Sequence, residues 1–291
     1  MQIVLHAGAH DTEADRLFKT LLRNKNELAK RGISIPGPSR YRPILRDTLG
    51  AMADAPAAED ARDILLDAIL DDEHADQVIL CHPHIFGAER ACLRNGELYA
   101  LAPERMQLLT QLFKHDQITL FLAIRNPASF LPTIYNASPQ TDMDSFLRGY
   151  NPFSIRWSDT LQSIREAAPR ANLVVWCFED MPLIWAQIIR EMAGLDHGEK
   201  IIGEFDLLSQ IMSPEGMKRF QAYLKKHPNM NEIQKHRVIS AFLDKFALQD
   251  VIEEELEAPG WTDDLVEELT AIYDDDVSHC ANIPGVQMIL P

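Results

Sequence analysis

The stretch that most limits what this chain can fold into is its first 32 residues. Gln2-Ile3-Val4-Leu5 is a short apolar run, and His6-Ala7-Gly8-Ala9-His10-Asp11-Thr12 is a turn with one glycine. From about Thr12 to Arg31, the residues Leu17, Phe18, Leu21, Leu22 and Leu28 recur at helical spacing. A strand, a tight turn and a long helix form the layout of a phosphate-binding α/β protein. The amides and the dipole of the helix N-terminus face the turn and favour an anion there.

The rest of the chain repeats the alternation. Gly32 to Pro36 reads as a helix stop followed by a short strand. Residues 37–43 (GPSRYRP) read as a basic loop of turn formers, with helices following at about 44–53 and 59–72. Gln77-Val78-Ile79-Leu80-Cys81 is a continuous apolar run suited to a buried parallel strand, and it ends in His82-Pro83-His84. A helix is expected over 102–115, and the strongest strand of the chain (ITLFLAI) over 118–124. That strand ends in Arg125-Asn126-Pro127, with helices expected at 128–135, 143–149 and 154–168. A further strand at 172–178 ends in Glu179-Asp180 and precedes a helix at 183–193. From Gly198 onward the pattern is helical, at 214–226, 230–246 and 262–280. The acidic runs Glu253-Glu254-Glu255 and Asp274-Asp275-Asp276 read as solvated faces. The expectation is one compact unit. Residues 1–197 form an α/β sandwich of three layers around a mostly parallel sheet, and 198–291 a helical part packed on it.

The charge balance narrows the partners. With 44 acidic against 28 basic residues the formal net charge is −16, which argues against a nucleic-acid or anionic-membrane surface. No charged leader with an apolar stretch opens the chain, and no apolar run has the length of a membrane span. Cys81, Cys92, Cys177 and Cys280 are scattered without a C-x-x-C pair, so neither a zinc site nor a disulfide framework is expected. A reduced, cytoplasmic setting follows.

In an open parallel sheet, ligands sit beyond the carboxyl ends of the strands. Four such ends carry polar residues directly after apolar runs: His6 to Thr12, Cys81 to His84, Arg125 to Pro127 and Phe178 to Asp180. Arg125 suits a phosphate, because a guanidinium offers paired donors, and Thr133 lies eight residues further on. The alternative for Arg125 is an ion pair with Glu179 or Asp180. His82 and His84 are candidate general bases, with His10 of the first turn a third ionisable group in the same role. His-Pro-His has no third ligand nearby in sequence, so no metal is expected.

These segments resemble the sulfotransferases that use 3′-phosphoadenosine 5′-phosphosulfate (PAPS). A strand, Arg125-Asn126-Pro127, a hydroxyl residue (Thr133) and then an aromatic (Tyr135) is similar to their 3′-phosphate-binding segment. His6-x-Gly8 with Thr12, Asn24, Leu28, Gly32 and Pro36 is similar to the bacterial pattern H-x-G-x-x-K-T-G-T-T…N…L…G…P. Val174 to Asp180 with Gly194-Leu195, and Tyr273-x-x-Asp276, are similar to later segments of the same enzymes. The resemblance implies sulfuryl transfer from PAPS to a hydroxyl on a small molecule or a glycan. Gly8, Ala9, His10 and Thr12 would meet the 5′ end, with Arg125 and Thr133 on the 3′-phosphate. The chain departs from the pattern at the first turn. Asp11 stands at the lysine position, and Glu13-Ala14-Asp15 stand at the glycine and hydroxyl positions. Arg16 is the best-placed replacement cation, and Asp11 and Glu13 double as helix-capping residues. Three readings stay open: an active sulfotransferase, a non-catalytic relative with an anion pocket, and a transferase with another donor.

Overall fold

The computed structural model describes residues 1–70, 74–252 and 258–291. The acidic run at 253–255 lies outside the described residues. In chain order, β1 (Gln2–His6) leads through the first turn to α1 (Ala14–Arg23) and α2 (Lys25–Ala29). Next come β2 (Ile33–Ser34), α3 (Pro38–Asp54), α4 (Ala61–Leu70) and β3 (Gln77–Cys81). A two-strand ladder, β4 (Leu93–Arg94) with β5 (Glu97–Leu98), precedes α5 (Ala102–Leu112), β6 (Gln117–Ile124) and α6 (Pro127–Asn136). The chain continues through α7 (Met143–Leu147), α8 (Trp157–Ala167), β7 (Asn172–Cys177) and α9 (Met181–Met192). Then follow α10 (Leu208–Ile211), α11 (Pro214–Lys226), α12 (Glu232–Phe246), α13 (Gln249–Ile252), α14 (Asp263–Asn282) and β8 (Val286–Ile289).

Six strands form one sheet in the order β2-β3-β1-β6-β7-β8, and every neighbouring pair is parallel. The apolar runs are continuous because both faces are covered. Ile3 and Leu5 of β1 point to a core shared with α3, α5, α8 and α14, while Val4 points to a second core under α1 and α9. The result is the three-layer α/β sandwich that the alternation of strands and helices implies. Helices α11 and α12 close a smaller core around Met217, Phe220 and Ile239. The last 30 residues rejoin the main body, since Tyr273 and Cys280 of α14 lie in the large core and β8 extends the sheet. Among the described residues no helix is long and apolar enough to cross a membrane.

Three local readings change. The single helix expected to Arg31 breaks at Asn24, whose amide side chain donates to the carbonyls of Thr20 and Ile202 and accepts from the Ile202 amide. Residues 37–43 are not a loop, because α3 begins at Pro38 and runs through Pro43. Pro38 loses no hydrogen bond in the first turn. The buried Tyr41 fixes the helix by donating its hydroxyl to the Cys81 carbonyl and accepting the Cys81 amide, both at 2.8 Å. Tertiary contacts thus outweigh the turn-forming composition.

The third change concerns Asp276. Asp274 and Asp275 are exposed, but Asp276 is 2% exposed and is no solvated face. Its carboxylate accepts from the Trp157 amide at 2.7 Å, the Ser158 amide at 3.3 Å and the Ser158 hydroxyl. It therefore caps α8 from α14, supplying acceptors for donors that have no partner within α8. Asp276→Ala is expected to lower unfolding free energy by about 2–4 kcal/mol, whereas Asp275→Ala changes it by less than about 0.5 kcal/mol. Urea unfolding of the two variants measures the difference.

Candidate functional site

The sheet order places a switch point between β1 and β6. From β1 the chain goes on to β2 on one side, and from β6 to β7 on the other. A crevice opens there beyond the carboxyl ends of the strands. The first turn stays paired with β6 past the end of β1. The Ala7 amide donates to the Phe121 carbonyl at 3.0 Å, the Ala9 amide to the Ala123 carbonyl at 3.2 Å, and the Ala123 amide to the Gly8 carbonyl at 2.7 Å. Gly8 has φ of 107°, and a Cβ there would stand 3.2 Å from the His10 nitrogen, so the turn needs glycine. The Thr12 hydroxyl closes the turn on the Ala9 carbonyl at 2.8 Å. Asp11 and Glu13 take left-handed backbone angles, φ 50° and 61°.

These contacts revise how the turn was read as a cradle. The amides of Ala9 and His10 are spent inside the fold, the latter on the Tyr99 hydroxyl at 2.8 Å. Glu13 makes no capping hydrogen bond and instead pairs with Arg16 at 2.8 Å. The Asp11 carboxyl faces Glu89. Burial and this neighbouring carboxylate push Glu89 up to about 7.

Arg125 and Thr133 do come together. Arg125 is 3% exposed. Its Nε donates to Ser129 Oγ at 3.1 Å, its Nη1 to the Asp11 carbonyl at 2.9 Å, and its Nη2 to Thr133 Oγ1 at 3.2 Å. The guanidinium lies over the Phe178 ring, 4.9 Å from its centroid. Asn126 caps α6 by accepting the Ala128 amide at 2.9 Å, which aims one face of that helix at the arginine. Glu179 accepts the Asn126 amide at 2.7 Å and the Tyr273 hydroxyl at 3.1 Å, and burial raises its carboxyl above the usual range. Ser129 and Phe178 were missed from the sequence. Ser129 had a usable signal, since it lies one helical turn from both Arg125 and Thr133.

The histidines separate. His84 is exposed and lines the cleft. Its Nδ1 lies 2.9 Å from His10 Nε2. His82 does not line the cleft. It is 6% exposed, neither ring nitrogen has a hydrogen-bond partner, and burial, with Arg42 adding to it, pushes it down to about 4. His6 is fully buried, stacks on Trp176 at 5.7 Å and is pushed to about 4 in the same way. A general-base role for His82 is therefore at odds with its burial, whereas His84 is accessible.

The cleft encloses about 500 Å³ between the turn, α1, α3, the loop after β3 and the end of β6. It is lined by the carboxylates Asp11, Glu13, Asp15 and Glu89 and by the guanidiniums Arg16, Arg42 and Arg125, so its charges nearly balance. Arg42 reaches in from α3 and donates to the Cys81 carbonyl at 2.9 Å. A second cavity of about 590 Å³ shares Glu13, Arg16 and Phe178, and is walled by Met181, Pro182, Leu207, Ile211 and Val266. Among the described residues no group of three or more His, Cys, Asp or Glu side chains is placed to hold a metal ion.

At the Arg125 end a buried guanidinium and two hydroxyls converge and suit a phosphate once the hydroxyls turn to it, since in this structure Ser129 donates to the Asn126 carbonyl at 3.3 Å and Thr133 to the Ser129 carbonyl at 2.9 Å. At the first turn the fit to a phosphosulfate is poorer, since carboxylates oppose the charge and two amides are engaged. No family model matches the chain, and no curated protein matches it.

The buried histidines set a pH dependence. His6, His10 and His82 are each lowered from 6.5 to about 4. Below the unfolded value the unfolded chain takes protons that the folded chain refuses, so their contribution is fully present above 6.5 and is lost as the pH falls toward 4. Between pH 7 and 5 this amounts to about 2 kcal/mol per histidine. Urea unfolding of His6→Phe is expected to show a shallower loss between pH 7 and 5 than the unsubstituted chain, by that amount.

Proposed function

We propose that this chain is a sulfotransferase-like protein that moves a sulfuryl group from PAPS to a hydroxyl on a small molecule or glycan. The observation that carries the reading is the Arg125–Ser129–Thr133 cluster, held against the Asp11 carbonyl at the switch point of a parallel sheet. In this reading Arg125, Ser129 and Thr133 hold the 3′-phosphate by charge-assisted hydrogen bonds. Thr12, Arg16 and Arg42 face the 5′ end, the two arginines standing in for the cation that Asp11 displaces. The adjoining apolar cavity has the size of a small-molecule site. When bound, the donor supplies the sulfuryl group and leaves as 3′,5′-adenosine bisphosphate. A reducing, cytoplasmic setting suits four buried free cysteines.

A second reading is an anion-binding relative without turnover, and the acidic lining of the first turn favours it. Each carboxylate about 4 Å from a phosphate charge costs about 1 kcal/mol in water and about 4 kcal/mol at a partly buried surface. Asp11, Glu13 and Asp15 together are able to cancel the attraction of Arg16 and Arg42.

Titration calorimetry with 3′,5′-adenosine bisphosphate tests the shared part. Binding is expected, with Arg125→Lys weakening it by about ten-fold or more and Asp11→Asn strengthening it. Absence of binding in both the unsubstituted chain and Asp11→Asn removes the donor assignment. Binding without transfer from labelled PAPS selects the second reading.

A further inference from the structure

We infer that His10 and Tyr99 form a buried relay that positions His84, the accessible candidate base of the cleft. The chemical role rests on the sulfuryl-transfer reading, whereas the relay rests on geometry alone. His84 lies exposed on the same cleft as Thr12, Arg42 and Arg125. Behind it, His10 is 4% exposed, with Nε2 at 2.9 Å from His84 Nδ1 and ring centroids 4.8 Å apart. Behind His10, Tyr99 is 1% exposed, with its hydroxyl 2.8 Å from His10 Nδ1 and its ring stacked on the imidazole at 5.7 Å and 7°. The His10 backbone amide donates to the same hydroxyl at 2.8 Å. Cys92 Sγ lies 3.0 Å from His10 Nδ1, and its thiol donates to the Ala88 carbonyl at 3.9 Å.

Two proton arrangements satisfy this chain, and they differ in what they leave at the cleft. In one, Tyr99 donates to His10 Nδ1, His10 Nε2–H donates to His84 Nδ1, and His84 presents an N–H. In the other, His84 Nδ1–H donates to His10 Nε2, His10 Nδ1–H donates to the Tyr99 oxygen, and Tyr99 donates to the Cys92 sulfur. Only the second leaves a lone pair on His84 Nε2. It is also the arrangement that a protonated His84 enforces, because both of its nitrogens are then donors and Nδ1–H needs a neutral acceptor. Burial supplies that acceptor by lowering His10 to about 4, which keeps it uncharged. Burial likewise holds the Cys92 thiol up at about 12, so the sulfur stays protonated and neutral.

The charged and titratable groups around the cleft that holds His84 come from every element packed there. His10, Asp11 and Glu13 come from the turn, Asp15 from the start of α1, His82 from the loop of His84 itself and Glu89 from the segment that follows. Arg42 comes from α3, Arg16 from α1 and Arg125 from the end of β6. In the reaction His84 Nε2 takes the hydroxyl proton while the acceptor oxygen bonds to sulfur. The sulfur–oxygen bond to the donor's phosphate breaks, its electron pair stays on the phosphate oxygen, and the proton later leaves His84 for solvent. His84 is the catalytic residue, and His10 and Tyr99 are positioning residues.

Nitrogen NMR of the imidazoles in the full chain tests the relay without any donor. With His84 assigned by loss of its signals in His84→Gln, its neutral form is expected as the Nδ1–H tautomer. His10→Phe is expected to shift it to Nε2–H, and Tyr99→Phe, which removes only a hydroxyl, to a mixture. An Nε2–H tautomer in the unsubstituted chain, or no change in the folded Tyr99→Phe and His10→Phe variants, overturns the relay. Under turnover, His84→Gln is expected to lower kcat by about 10²-fold or more, and Tyr99→Phe to lower kcat with KM unchanged. Turnover that survives His84→Gln sinks the catalytic assignment and leaves the sulfuryl-transfer reading intact. No binding of 3′,5′-adenosine bisphosphate by either the unsubstituted chain or Asp11→Asn sinks that reading, and the NMR result then decides the relay by itself.

Discussion

A guanidinium buried to 3% exposure at the end of a central strand is the constraint around which the rest of this molecule is arranged. Such a charge is costly unless hydrogen-bond acceptors surround it. Arg125 meets that demand by joining two elements through three contacts: the first turn through the Asp11 carbonyl, and two successive turns of α6 through Ser129 and Thr133. Its own carbonyl accepts the Trp157 indole at 2.8 Å, and Trp157 begins α8, which Asp276 caps from α14. The C-terminal helix, the sheet edge and the first turn are therefore coupled through one short series of polar contacts.

The shape of the cleft and its charge have separate origins. Its backbone follows from the parallel sheet and the glycine turn, which persist whatever side chains line them. Its charge follows from the side chains, and here carboxylates stand almost in balance with guanidiniums. Glu89 and Asp11 share the entrance, and burial, a hydrogen bond with the Asp11 side chain and its charge hold the Glu89 carboxyl up at about 7. An anion bound there gains from Arg125 and loses to the acidic turn, and the sign of the sum is a matter of distances within a few ångströms.

Much of the scaffold was legible in the sequence, because the central strands are continuous apolar runs and the long helices that cover them have apolar faces. The runs ending at Cys81, Ile124 and Cys177 became central strands whose polar ends line the crevice or support it. Arg125 and Thr133 were legible because a strand end and one face of the following helix are set by local periodicity. Three features were not. The first turns of the helix at 38–54 looked like a loop, because Pro38, Ser39 and Pro43 are turn formers and only burial of Tyr41 against Cys81 overrides them. Asp276 looked like one of three surface acids, but it faces the start of α8 across a helix–helix contact. The His82-Pro83-His84 pair looked equivalent, yet one imidazole is buried without partners and the other opens onto the cleft.

The sequence by itself determined the alternation of strand and helix, the parallel sheet, and the positions at which polar residues leave it, since these depend on side-chain periodicity of 2 and 3.6 residues along the chain. Only the tertiary structure decided which of those residues meet. It joined His10 to Tyr99 across 89 positions and to His84 across 74, and Arg125 to the Asp11 carbonyl across 114. The physical reason is that hydrogen bonds act over about 3 Å, whereas sequence patterns report only which face a residue occupies.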